Sequence, residues 1–210
     1  MTPGARIAVG AVALVIAGVI TVEMLASLEP PRHLDGDGPL ASLDGGFESM
    51  AVDPQPGVTA WTFGMPLCVH QGTDRATLES VEPTETVGSG FAELGTGVRE
   101  FTPNPSHQPI ISVEAWPPPV SYVPDVLRPV ADFDVETQCG NGPDAPYTEL
   151  LIGLGRVGLE GGGWKGIEVG YVVDGRHRVV ALNHNILICG PDIADDCAMP
   201  PASPPSNAAP

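Results

Sequence analysis

Residues 150–166 read LLIGLGRVGLEGGGWKG, and the fold turns on whether GLGRVG within it opens a nucleotide-binding helix or continues a β-strand. The spacing G-x-G-x-x-G binds a pyrophosphate only when the third glycine leads into a helix whose first N–H groups face the phosphates. Here three consecutive glycines, Gly161 to Gly163, stand where that helix would run, and each costs about 1 kcal/mol relative to alanine in a helix interior. Asp174 lies at the distance of a ribose-binding acid, but it heads an Asp-Gly pair that a tight turn already explains. The stretch is therefore expected to be a strand that holds no nucleotide and no other cofactor. Gly153 and Gly155 then mark places where a facing strand or an aromatic ring approaches the backbone, and GGGW turns the chain into the next strand.

Working outward, IEVGYVVDGRHRVVALNHNILIC reads as a hairpin. Ile167, Val169, Tyr171 and Val173 alternate inward, Asp174 and Gly175 suit a two-residue type I′ turn, and Val180, Leu182, Ile186 and Ile188 return at even positions. ADFDVETQC has period two over residues 131–139, with Phe133, Val135 and Cys139 on one face and acids on the other, which favours a half-buried strand. MPLCVHQ, RATLESVEP, GFAELGTGVREF and ELLIGLGRVGL complete a set of about seven. Short strands at this density predict a mainly β fold, an immunoglobulin-like antiparallel β-sandwich over residues 58–190. Eight prolines between Thr102 and Pro129 exclude a central strand there. That segment is expected to be a long loop packing through Trp116, Tyr122 and Val123.

The uncharged run Ile7 to Val22 is followed by Met24, Leu25 and Leu28, together close to the length that spans a bilayer as a helix. Residues 1–28 are expected to form an uncleaved signal-anchor, a transmembrane helix meeting lipid through residues 7–28. The alternative is a cleaved secretory signal with Arg6 as its basic leader. Either reading places the remainder outside the cytoplasm. Ala13, Ala17 and Thr21 share one face of such a helix and could pair it with a second copy. Residues 29–57, rich in proline, glycine and acids, read as a linker, and 191–210 as a disordered proline-rich tail. DGDG, residues 35–38, lacks the further oxygen ligands of a calcium loop.

Nine basic residues oppose 26 acidic ones, a formal net charge of −17, which repels nucleic acid. In an oxidising compartment Cys68, Cys139, Cys189 and Cys197 are expected to form two disulfides. Closure of Cys189 on Cys197 would leave Cys68 for Cys139; the alternative joins Cys68 to Cys189. No C-x-x-C or H-x-x-x-H supplies a zinc pair. No G-x-S-x-G appears, and His33, His70, His107, His177 and His184 are scattered. His184 is expected to be buried and held by an Asn side chain or a backbone carbonyl. Asp192, Asp195 and Asp196 offer a weak cation site at best.

The opening CVHQGTDRATLESVEP and the ending GIEVGYVVDGRHRVVALNHNILIC resemble actinobacterial single-pass membrane or secreted proteins that carry a small extracytoplasmic β-rich domain. The resemblance covers about residues 61–190 and implies no catalytic residue. The expected function is a non-catalytic, membrane-anchored extracytoplasmic module binding an envelope protein or surface ligand. The alternative is a cell-envelope hydrolase whose site joins His184 or His70 to two acids across space.

Overall fold

The computed structural model describes residues 29–43, 48–103, 109–122, 127–142 and 145–198. Among these described residues eleven strands lie in two sheets: β1 (Arg32–Leu34), β2 (Leu40–Ser42), β3 (Glu48–Val52), β4 (Ala60–Val69), β5 (Ala76–Gly88), β6 (Phe91–Phe101), β7 (Ser112–Val113), β8 (Asp134–Val135), β9 (Tyr147–Arg156), β10 (Gly162–Val173) and β11 (Arg176–Ile188). One sheet runs β1-β11-β10-β5-β8, with β3 also on β11; the other runs β2-β4-β9-β6, with β7 also on β4. The long strands pair antiparallel, whereas β1 and β3 lie parallel to successive halves of β11.

GLGRVG continues a strand. β9 includes Gly153 and Gly155 and ends at Arg156, and the chain turns through Gly161, at φ 79°, into β10. The hairpin also forms as its pattern predicts. Asp174 and Gly175 have φ of 52° and 71°, the two positive values that a type I′ turn demands. Ile167, Val169, Tyr171, Val180, Leu182, Ile186 and Ile188 are all buried.

Between the sheets these side chains meet Trp61, Phe63, Met65 and Leu67 of β4 and Leu150, Ile152 and Leu154 of β9 in a single core. Each fully buried large apolar side chain contributes about 1.5–3 kcal/mol. β4 and β9 are buried on both faces, which is why LLIGLG reads as a continuous apolar run without alternation.

Three expectations need correction. Residues 29–57 are not wholly a linker: they carry β1, β2 and β3. Strands of three to five residues are too short to show a period, and their neighbours β11 and β4 set their register. ADFDVETQC is not a nine-residue strand. Phe133 and Val135 are buried, but only Asp134 and Val135 pair with β5, and the segment then crosses to the other sheet, where Gln138 bridges Val69. The tail begins later than expected, because Pro191–Ile193 form a 3-10 turn and Ala194–Cys197 a short helix, α1. The expected membrane segment, with the Ala13, Ala17 and Thr21 face expected on it, and residues 199–210 lie outside the described residues. Among the described residues no helix is long and apolar enough to cross a membrane.

Candidate functional site

The described parts of the proline-rich segment, residues 109–122 and 127–129, form a strap across the outer face of β4, β9 and β6. Register explains how the face receives it. Gly64, Leu151 and Gly97 lie side by side across the three strands, as do Thr62, Gly153 and Gly95, and Pro66, Glu149 and Arg99. The glycines leave a bed without side chains. A Cβ on Gly64 would stand 2.2 Å from the Ile110 carbonyl oxygen, one on Gly97 2.6 Å from Leu127, and one on Gly153 2.2 Å from the Trp116 ring. Trp116, Ile110, Val113 and Leu127 pack there around Leu151. Polar contacts add to the fit: the Thr62 hydroxyl donates to the Ala115 carbonyl at 2.5 Å, and Trp116 Nε1 donates to the Leu94 carbonyl at 3.1 Å.

The strap meets one buried ion pair at two points, Ile110 and Tyr122. Arg99 Nε donates to Glu149 Oε2 at 2.6 Å, with the two side chains 1% and 0% exposed. The other carboxylate oxygen accepts the Ile110 N–H at 2.6 Å, and Arg99 Nη1 donates to the Tyr122 carbonyl. The guanidinium also lies 4.2 Å from the centre of the Phe101 ring, a cation–π arrangement. Burial pushes the Glu149 carboxyl up to about 7, against the opposing pull of Arg99 and the Ile110 N–H. The expectation of a packed loop holds for Trp116. Tyr122 contributes its backbone and leaves its ring half exposed, and Val123 lies outside the described residues.

Beside the strap, β7 faces β3 across a groove. β3 pairs only with β11, and β7 only with β4, among the described residues. Three hollows line this cleft. One of about 450 Å³ lies among Val52, Asp53, Trp61, Val113 and Glu114. One of about 270 Å³ lies among Met50, Val52, Ile111 and the Cys189 and Cys197 pair, and one of about 260 Å³ among Met50, Pro66, Ile111 and Tyr147. Ile111 is 65% exposed in the cleft.

The cysteines pair as Cys68 with Cys139, Sγ–Sγ 2.02 Å, and Cys189 with Cys197, 2.27 Å; the pairing of Cys68 with Cys189 is not formed. Asp196 is held by Lys165 at 2.5 Å. No three His, Cys, Asp or Glu side chains among the described residues gather as a metal site. His177 meets Glu79 at the surface, and His33 accepts from Arg178 at 2.8 Å. His107 lies outside the described residues.

His184 is buried as expected, but its partner is the Ser42 hydroxyl at 3.2 Å, not an Asn side chain or a carbonyl. Asp35 accepts the Ser42 backbone N–H at 2.8 Å, while Nδ1 of His184 has no partner. A serine nucleophile needs its acid on the far imidazole nitrogen and an opening to substrate. Here the acid grips the serine backbone and the imidazole is fully enclosed, so the three residues join β2 to β11 instead. Neither the ion pair nor this contact was legible in the sequence. The only signal was a charged residue inside an apolar strand, Arg99 in GTGVREF and Glu149 in TELLIG.

No protein-family model and no curated protein sequence matches the chain. Among solved structures, the VesB protease of Vibrio cholerae is similar over 72% of this chain and 32% of its own, at 7% identity and a TM-score of 0.35. The chain thus spans about a third of that protein's length.

Proposed function

We propose that this chain is a membrane-anchored, extracytoplasmic binding module, non-catalytic, which takes an envelope protein or surface ligand on the side of its sandwich formed by β3, β7 and the strap. The observation that carries this reading is the cleft between two strand edges left open among the described residues, beside a strap fastened at Ile110 and Tyr122 to one buried ion pair. A rigid, preorganised surface loses little conformational freedom on binding.

The strand order supports an immunoglobulin-like class. β2-β4-β9-β6 follows the A-B-E-D order, and β11-β10-β5 follows G-F-C. Two cysteine pairs at bonding distance suit an oxidising compartment, in keeping with residues 7–28 as an anchor and the sandwich outside. The resemblance to exported actinobacterial proteins agrees with this placement.

The test is site-specific photocrosslinking on intact cells. A benzophenone side chain replacing Ser112, on β7, should capture a reproducible partner, whereas the same group replacing the exposed Arg176, beside the hairpin turn, should not. Equal capture at the two positions, or none at either, would overturn the reading.

A further inference from the structure

We infer that the cleft receives an extended peptide segment that pairs edge-on with β3, apolar at alternate positions and basic where it passes the Val52 end; this rests on the binding-module reading and specifies its ligand class. Among the described residues the backbone of β3 engages β11 on one side only, through a parallel register from His184 with Glu48 to Ile188 with Val52. Its second edge therefore offers N–H and C=O groups to an incoming strand.

A strand laid there would alternate its side chains between two environments. On β3 itself Met50 points into the core and Val52 packs against it, while Ala51 is exposed. The added strand continues that pleat. Its inward side chains enter the hollows bounded by Met50, Val52 and Ile111, and so cover the exposed Ile111. That dictates apolar residues at alternate positions. The charges come from the other lining residues. Among the described residues that line the three hollows, the charged ones are Asp53 and Glu114, both acidic and both on the hollow at the Val52 end. In a chain of net charge −17 they select a cationic partner.

The experiment uses the full chain purified in detergent and three fluorescent heptapeptide probes: alternating arginine and valine, alternating glutamate and valine, and the arginine–valine peptide with every second amide N-methylated. Anisotropy should show saturable binding of the first probe, at least tenfold weaker binding of the other two, and loss of affinity with added salt. Hydrogen exchange should slow across residues 48–52 when the first probe is bound. Asp53→Lys with Glu114→Lys should weaken the first probe about tenfold or more, and Ile111→Asp should do the same. Unchanged thermal unfolding would establish that each variant is folded. Should a variant fail to fold, the N-methylated probe on the natural chain still decides. Equal affinity for the N-methylated or the acidic probe, or no binding of any probe, overturns the inference. Capture of a partner at Ser112 despite such a result would leave the binding-module reading standing and refute only the strand-pairing ligand.

Discussion

The Trp116 ring fills the space that a side chain at residue 153 would need, with its Cδ2 atom 2.2 Å from where a Cβ on Gly153 would sit. The first glycine of GLGRVG thus does for an indole what a dinucleotide loop does for a pyrophosphate: it lets a flat group approach the backbone. Gly153→Ala should lift the strap and destabilise the fold by about 1–3 kcal/mol, the usual cost of overpacking. Urea unfolding followed by tryptophan fluorescence is suited to this, since Trp61 and Trp164 are each 1% exposed and Trp116 reports the change. An unaltered midpoint and spectrum would refute the packing described.

Removing one partner of the Arg99–Glu149 pair leaves a buried charge without its counterion. Glu149→Leu alone, which strands the always-charged Arg99, should cost about 3–5 kcal/mol, whereas Glu149→Leu with Arg99→Met should recover much of that loss. Chemical denaturation of the two variants tests this, and a double variant no more stable than the single one would contradict it.

Acidity should act on the same carboxyl in a defined sense. The folded-state pKa of Glu149 lies near 7, above its ordinary value of 4.5, so the folded chain holds this proton more tightly than the unfolded chain does. Its contribution is complete below about pH 4.5 and is lost as pH rises through about 7, with a slope of at most about 1.4 kcal/mol per pH unit. Subtracting the pH profile of Glu149→Gln from that of the natural chain should isolate this slope. A flat difference between pH 4.5 and 7 would mean that burial does not govern the group.

The two cysteine pairs should differ in worth. Cys68 and Cys139 close a separation of 71 residues, Cys189 and Cys197 one of 8. Loop-closure entropy gives about 4 kcal/mol for the first and about 2.5 kcal/mol for the second. Paired replacement by alanine, followed by thermal unfolding, should therefore lower stability more for Cys68 and Cys139. The opposite ranking would point to a role for the Cys189 and Cys197 pair beyond chain entropy.

Much of the architecture was readable where local pattern and tertiary demand agree. The hairpin is the clearest case, because alternation along β10 and β11 and the Asp174–Gly175 turn specify one register. Reading failed where neighbours decide. β1 and β3 have too few residues to declare themselves, and β11 supplies their partner groups. Phe133 and Val135 alternate as a strand should, yet the chain leaves one sheet for the other within a few residues. The site was harder still. Glu149 is 50 residues from Arg99 and 39 from Ile110, and only the closed sandwich brings them together. Glycine gave a partial clue, since Gly153 implied that something lies close, but not that it is Trp116.

The parallel pairing of β1 and β3 with β11 determines how the domain meets a pull on its ends. Tension drawn from the amino-terminal side of β1 and the carboxyl-terminal side of β11 runs in opposite directions along adjacent strands, so their hydrogen bonds are sheared together and do not unzip in turn. A sandwich pulled at those two points resists stretching as a clasp does.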